Sequence, residues 1–257
     1  MAGNCIIYLI AGFIGGLWMI YGGVKEYLLL QKINNTPTSK VASAAVGFAE
    51  LYGKARCPPD LRTPISGVPC GFWRLVAEYY KSGKGGGWKK FYNTDSSVPF
   101  ELEDESGKML VDPKGAEIEI PADCAFEGYI SGKGVFGVSH AMIDERVLKF
   151  INASKEDVKK KFMSHQHLNV RVTEYFIGAG DEVYALGTLM PRENMPSSVG
   201  YENLVMKKGN DIMYLSDSSE KKIAGSLSTS VKWSIGGGLA LSAICIFLII
   251  LFLVPSQ

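Results

Sequence analysis

The sequence predicts an α+β chain, a mainly antiparallel β domain of barrel- or sandwich-like form with a helical insertion, flanked by two transmembrane helices. Three observations predict it: an uncharged apolar run at each end, short runs of alternating apolar and polar residues between them, and Gly- and Pro-rich stretches that punctuate those runs. The 257 residues are 47% hydrophobic with a formal charge of +1, a balance that points to no nucleic-acid or other polyelectrolyte partner.

The end runs are the strongest signals. Ile6 to Val24 holds 19 residues without a charge and Trp233 to Val254 holds 22, each long enough as a helix to cross a hydrocarbon core of ~30 Å. Trp18, Tyr21 and Trp233 stand where interfacial aromatics are expected. The first run has no basic segment before it and no clear small-residue cleavage site before Lys25, so it reads as an uncleaved anchor rather than a signal peptide. The expected layout is an N-terminal tail at 1–5, a first span at 6–24, a juxtamembrane connector at 25–40 and a β-rich domain at 41–215. A juxtamembrane segment at 216–232, a second span at 233–254 and a tail at 255–257 complete it. Both tails then share one side of an integral membrane protein with two spans. Lys25, Lys32, Lys40, Lys221, Lys222 and Lys232 flank the spans on the domain side, a weak vote for a cytoplasmic domain that fades for loops of this length.

Within the domain, Trp73, Leu75, Ala77 and Tyr79 fall on one strand face and Arg74 and Glu78 on the other. Glu117 to Ile120 alternates in the same way and ends at Pro121, and Val41 to Tyr52 is compatible with strand. The helical insertion is read at Asn152 to Met163, with Ser154 as N-cap, acids early, lysines late, and Ile151, Val158 and Phe162 as the stripe that meets the sheet. At 216–232, Ile223, Leu227 and Val231 recur at helical spacing, although the serines suit a flexible linker equally well.

The stretch from Arg171 to Gly187 poses the sharpest functional question, because Gly178-Ala179-Gly180 follows an apolar strand pattern. A dinucleotide loop requires a third glycine and a following helix; here Val183, Ala185 and Leu189 continue as a strand. The expectation is a hairpin with a four-residue loop at Gly178 to Asp181, in which Phe176 faces Val183 and Tyr175 faces Tyr184. Gly128 to Gly137 resembles a Walker loop but has the wrong glycine spacing, and Gly134 stands where Ser or Thr would hold magnesium. The basic glycine loop Ser82 to Lys90 has the chemistry to touch an anionic headgroup or nucleic acid, but one basic loop in a near-neutral chain is more often a solvated turn.

Catalytic, cofactor and metal sites are all expected to be absent. Cys57, Cys70 and Cys124 show no framework or zinc spacing, His165 and His167 lack further ligands, and nothing in the sequence brings a cysteine to His140, His165 or His167. Turns on a rigid sheet are where recognition commonly sits, which nominates Pro64, Ser66, Gly67 and Pro69 with Gly178, Gly180, Asp181 and Glu182 as a partner-binding surface. Plain turn geometry explains the same glycines. In the first span, Gly12 and Gly16 permit close helix approach, to the second span or to another copy in a homo-oligomer.

The ordered segments Thr36-Pro37-Thr38-Ser39, Gly47, Glu50 and Gly53, Pro64-x-Ser66-Gly67-x-Pro69-Cys70 and Glu174 to Gly187, set between two anchors, resemble the GIDE family. This is the "beside a membrane" domain that lies between two transmembrane helices in a eukaryotic mitochondrial ubiquitin and SUMO ligase and in prokaryotic relatives. In that ligase, transfer depends on a RING finger after the second span. No zinc ligand follows Val254 in this sequence, so the ligase chemistry has no residues to map onto. The resemblance thus implies a membrane-anchored binding or scaffold module for an unidentified protein or membrane partner. Two alternatives stay open: an E3-like protein acting with a separate RING component, and a structural organiser of the membrane by oligomerisation. The eukaryotic domain faces the intermembrane space, opposite to the weak charge vote.

Overall fold

The computed structural model describes residues 2–130, 142–192, 201–210, 212–217 and 220–253. In chain order the elements are α1 (Ala2–Asn35), β1 (Thr38–Ser39), β2 (Gly47–Arg56), β3 (Cys70–Lys81), β4 (Gly87–Asp95), β5 (Phe100–Glu103) and β6 (Lys108–Val111). They continue with β7 (Glu117–Glu119), β8 (Cys124–Tyr129), α2 (Glu145–Ala153), α3 (Glu156–Met163), β9 (Asn169–Gly178), β10 (Glu182–Pro191), β11 (Leu204–Lys207), β12 (Tyr214–Ser216) and α4 (Glu220–Leu253). The chain divides into a helix pair, Met1–Pro37 with Ser218–Gln257, and a β domain, Thr38–Asp217.

In the helix pair, α1 and α4 run antiparallel and approach closely because glycines replace side chains along the seam. A Cβ on Gly12 would stand 2.9 Å from Cys245 Sγ, one on Gly16 2.8 Å from the Gly238 carbonyl, and one on Gly23 2.7 Å from Ile235. Gly12 and Gly16 thus lie against the chain's own second helix, one of the two partners the sequence allows for them. Ile7, Ile14 and Trp18 on α1, and Ile244, Phe247 and Leu251 on α4, point away from the seam and are exposed. Both helices are long and apolar enough to cross a membrane, and outward apolar faces of this kind suit lipid. Residues 25–35, read from sequence as a connector, continue α1 as helix. At the other end α4 starts at Glu220, so the serine-rich approach is helical; Thr229 turns its hydroxyl back to the Gly225 carbonyl at 3.1 Å, which satisfies it within the helix.

The β domain contains a closed barrel. β2 pairs with β5, β5 with β6, β6 with β11, β11 with β10, and β10 returns to β2 along Gly47 to Lys54. All of these contacts are antiparallel except β6 with β11. β1 adds in parallel to β2, and β12 extends the wall beside β10 and carries β7. Alternation sends Leu51 and Ala55 of β2, and Val183, Ala185 and Leu189 of β10, into the barrel with Leu102, Met109, Val111 and Met206. Gly53 shares that inward face where β5 crosses, and a Cβ there would lie 2.5 Å from the Glu103 carbonyl. The strand expected at Val41 starts only at Gly47; Val41–Ser43 is a 3-10 turn, fixed when Asp104 accepts from the Val41 amide at 2.9 Å.

A second, open sheet has the order β4-β3-β9-β8, antiparallel throughout. One face is covered by α2 and α3, which bury Val147, Ile151 and Phe162 against Leu75, Ala77, Val170 and Val172. The face predicted for Trp73, Leu75, Ala77 and Tyr79 is the one that meets the helices. Ser154 does not cap the insertion. Asp144 caps α2, accepting from the Arg146 amide at 2.8 Å, while Ser154 closes that helix by donating to the Phe150 carbonyl at 2.7 Å. Phe72 of β3 and Ile177 of β9 reach the barrel core, so these two strands serve both layers.

The expected hairpin at Gly178 to Asp181 does not form. β9 belongs to the open sheet and β10 to the barrel, so Phe176 pairs with Trp73 and Tyr184 with Tyr52. The reason is that alternation fixes which way a strand's side chains point, not which strand lies beside it. The turn instead docks on the end of β2: the Gly180 amide donates to the Ala55 carbonyl and the Ala55 amide to the Asp181 carbonyl, each at 2.9 Å.

Candidate functional site

The crossover and the loop before β3 meet at one rim of the domain. Cys70, the first residue of β3, pairs with Gly178, the last of β9, which places Pro69 beside the 178–181 turn. The exposed residues of this rim are Gly67 and Pro69 from one loop and Ala179, Gly180, Asp181 and Glu182 from the other. Gly178 is buried: its amide donates to Asp181 Oδ2 at 2.6 Å, and a Cβ there would stand 3.1 Å from the same oxygen. The nominated residues of the two turns are thus spatial neighbours, although they lie more than a hundred positions apart in the chain.

What positions the first loop is a carboxyl group that the sequence reading did not single out for this role. Glu174 is wholly buried on β9, opposite Leu75. Its two oxygens accept from the Ile65 amide at 2.7 Å, the Ser66 amide at 3.0 Å and the Ser66 hydroxyl at 2.6 Å. Thr63 completes the clasp. Its hydroxyl lies 2.7 Å from Ser66 Oγ and accepts from the Val68 amide, and its backbone bonds to Val68 and Gly67. Gly67 supplies the positive φ, +71°, that closes the turn. Ile65 inserts into the sheet–helix core and Arg62 donates to the Gly67 carbonyl at 3.1 Å. The loop is therefore held by its backbone and by Ile65, while Gly67 and Pro69 face outward. Glu174 falls on the same strand face as Val170 and Val172, and an acid on a buried face was the sequence signal for it.

The electrostatics of the rim disfavour nucleophilic chemistry. Burial, reinforced by the neighbouring Cys57 thiol and by Glu174, pushes the Cys70 thiol up to about 12. Burial and Asp181 raise Cys57 as well. Both thiols stay protonated near neutrality, and the thiol is the unreactive form. His165 lies where β9 begins, stacked on Phe91 at 4.1 Å and bonded through Nδ1 to the Lys161 carbonyl at 2.8 Å. Nine strand residues, about 30 Å, separate that end from the Cys70 end. Asp123 borders the rim, its amide donating to the Glu174 carbonyl at 3.1 Å; burial raises its carboxyl, Asp181, Asp217 and Glu174 raise it further, and the Phe176 amide, bonded at 2.8 Å, opposes them.

Among the described residues no group of three or more His, Cys, Asp or Glu could hold a metal ion. His140 and the glycines from Gly132 to Gly137 lie outside the described residues. Gly178-Ala179-Gly180 leads into β10, so no helix N-terminus follows it to receive a phosphate.

A second buried carboxyl stands in the barrel wall. Glu50 accepts from the Tyr184 hydroxyl at 2.7 Å and from the Thr38 hydroxyl at 2.5 Å, fastening β1 to β2 and β10.

No curated protein and no solved structure matches the chain. A family model does: GIDE, described as E3 ubiquitin ligase, matches residues 77–251, from the middle of β3 through the crossover to the end of α4. That is more than half of the chain, and the protein belongs to the GIDE family.

Proposed function

We propose that this E3-ligase-related membrane protein is a recognition module, and that the rim formed by Gly67, Pro69 and Ala179 to Glu182 binds a protein partner. The observation that supports this reading is the Glu174 clasp. A loop fixed by three hydrogen bonds to one buried carboxyl group presents its outer residues with little entropy left to lose on binding, which is how pre-organised surfaces gain affinity. Partner capture, rather than transfer chemistry, suits a rim whose thiols are held protonated.

Photo-crosslinking in native membranes tests the proposal. A photoreactive residue at Pro69 or Ala179 captures one defined protein, Glu174→Ala abolishes the capture, and the same group on exposed Lys114 captures nothing. Absence of a partner at both rim positions, or capture that survives Glu174→Ala, overturns the reading. The captured protein also separates the family-based alternative: a RING protein makes this chain the recognition half of a two-component ligase.

A further inference from the structure

The β3–β4 hairpin concentrates positive charge that its surroundings leave unneutralised. Lys81, Lys84, Lys89 and Lys90 are all exposed, and none forms an ion pair among the described residues. The acids of the same hairpin are engaged elsewhere. Glu78 accepts from Arg171 at 2.7 Å, and Asp95 faces Arg74 at 3.6 Å. Both partners are arginines on the sheet face, and although Glu78 stands across the ladder from Lys90, no ion pair joins them.

The tip is nearly free of side chains. Gly83, Gly85 and Gly87 take φ of +102°, +77° and +129°, so the backbone turns tightly at Lys84; behind the tip Lys90 follows the sheet face of Tyr80 and Trp88 and Lys89 the opposite one. Beside them Tyr80, 48% exposed, meets the Trp88 ring edge-on at 5.5 Å, and Arg171 lies over the Trp88 ring at 4.3 Å. Trp88 is thereby held between Tyr80 and Arg171 rather than freed as a plug for hydrocarbon. Lysines around half-exposed aromatics form a surface suited to the headgroup layer of a bilayer.

We propose that Tyr80 to Lys90 docks on an anionic lipid surface, with Lys81, Lys84, Lys89 and Lys90 meeting headgroup phosphates and carboxylates and Tyr80 and Trp88 resting at headgroup level. Charge complementarity supports this occupant, and so does tethering. The chain carries two helices long and apolar enough to cross a membrane, which holds headgroups at high effective concentration around the domain. The hairpin lies at the opposite end of β3 from Cys70 and the rim, so this proposal and the partner-binding one fail independently.

The full chain is reconstituted in nanodiscs of phosphatidylcholine alone, or of phosphatidylcholine with phosphatidylserine, and hydrogen exchange is followed across residues 80–90. Exchange slows in the anionic discs, by a factor on the order of five for each engaged lysine, and the protection disappears at high salt. It also disappears in the triple variant Lys84→Gln, Lys89→Gln, Lys90→Gln, whose exposed, unpaired side chains leave the fold intact. Equal exchange in the two kinds of disc overturns the proposal, as does protection that persists in the triple variant. Stronger protection in neutral discs by single-stranded RNA or by an oligoglutamate peptide, at matched salt, overturns it in favour of that ligand.

Discussion

The barrel and the open sheet use buried carboxyl groups in opposite ways. In the barrel, Glu50 receives two side-chain hydroxyls and joins strands that already pair. In the open sheet, Glu174 receives two backbone amides and a hydroxyl from a loop with no strand partner of its own. The barrel closes on itself, so its polar group is an internal rivet. The sheet ends in two edges and a helix-covered face, and its polar group fixes a segment that faces the outside. Closure serves stability in one layer; openness leaves the other free to present loops.

The comparison breaks most readily through the two cores. Phe162→Ala removes a fully buried ring that meets Phe91, Tyr92 and Phe150, and costs about 3–5 kcal/mol; Leu102→Ala in the barrel costs about 2–5 kcal/mol. Because Phe72 and Ile177 reach into the barrel from strands of the open sheet, both variants shift one shared denaturant transition of the domain. Two separate transitions would show the layers to be independent.

Glu174→Ala comes next, at about 2–3 kcal/mol, since the Ile65 and Ser66 donors lose their acceptor. Hydrogen exchange at Ile65 and Ser66 accelerates while β2 and β10 stay protected; equal acceleration in both layers would refute the assignment of this carboxyl to the loop. Glycines give a smaller contrast. Gly53→Ala forces a Cβ against the Glu103 carbonyl and costs about 1–3 kcal/mol. Gly67→Ala meets open space and suffers only from its positive φ, costing about 1 kcal/mol in thermal melts.

The smallest effect is on acid stability. Burial opposes ionisation of Asp104, yet the Val41, Ser106 and Gly107 donors hold it below the ordinary carboxylate range, and Arg146 holds Asp144 at about 2. Folded values below the unfolded ones mean stabilisation that is present above about pH 4 and lost as pH falls through the folded values. Asp123 has the opposite sign, because its raised value favours the fold in acid. Acid titrations from about pH 4 to about pH 2 therefore lose less stability in Asp104→Asn and Asp144→Asn than in the parent chain, whereas the contribution that Asp123→Asn removes develops mainly above about pH 4, as pH falls through the raised folded value toward the unfolded one.

Much of this architecture was legible in the sequence, and the misreadings share one cause. Period-two alternation placed Trp73, Leu75, Ala77 and Tyr79, and also Val183, Ala185 and Leu189, on the faces they occupy, because burial is a local property of a strand. Partner choice is not local. Arg171 to Gly187 contains two well-patterned strands and a plausible loop, yet they enter different sheets; what separates them is Cys70 and Ala55, remote residues that claim Gly178 and Gly180. The rim turns were nominated as a binding surface from turn residues alone, and the Glu174 contact that fixes the first of them spans more than a hundred residues of chain, which no local pattern reveals. Ser154 failed as an N-cap because its hydroxyl turns back to the Phe150 carbonyl and closes α2, which leaves Lys155 as the N-cap of α3.

Barrel closure also sets an order of assembly. Tyr52 of β2 and Glu182 of β10, joined by a hydrogen bond of 2.5 Å, are 130 residues apart in the chain. As the protein emerges from the ribosome, the β2-β5-β6 strip must therefore wait with its outer edges open until β10 and β11 arrive, after the whole open sheet and its helices have been synthesised. Non-local closure of this kind makes folding slow and leaves strand edges exposed to mispairing. With its first apolar helix made before any strand, the nascent chain passes through its most aggregation-prone interval while that helix is already available to hold it at a membrane.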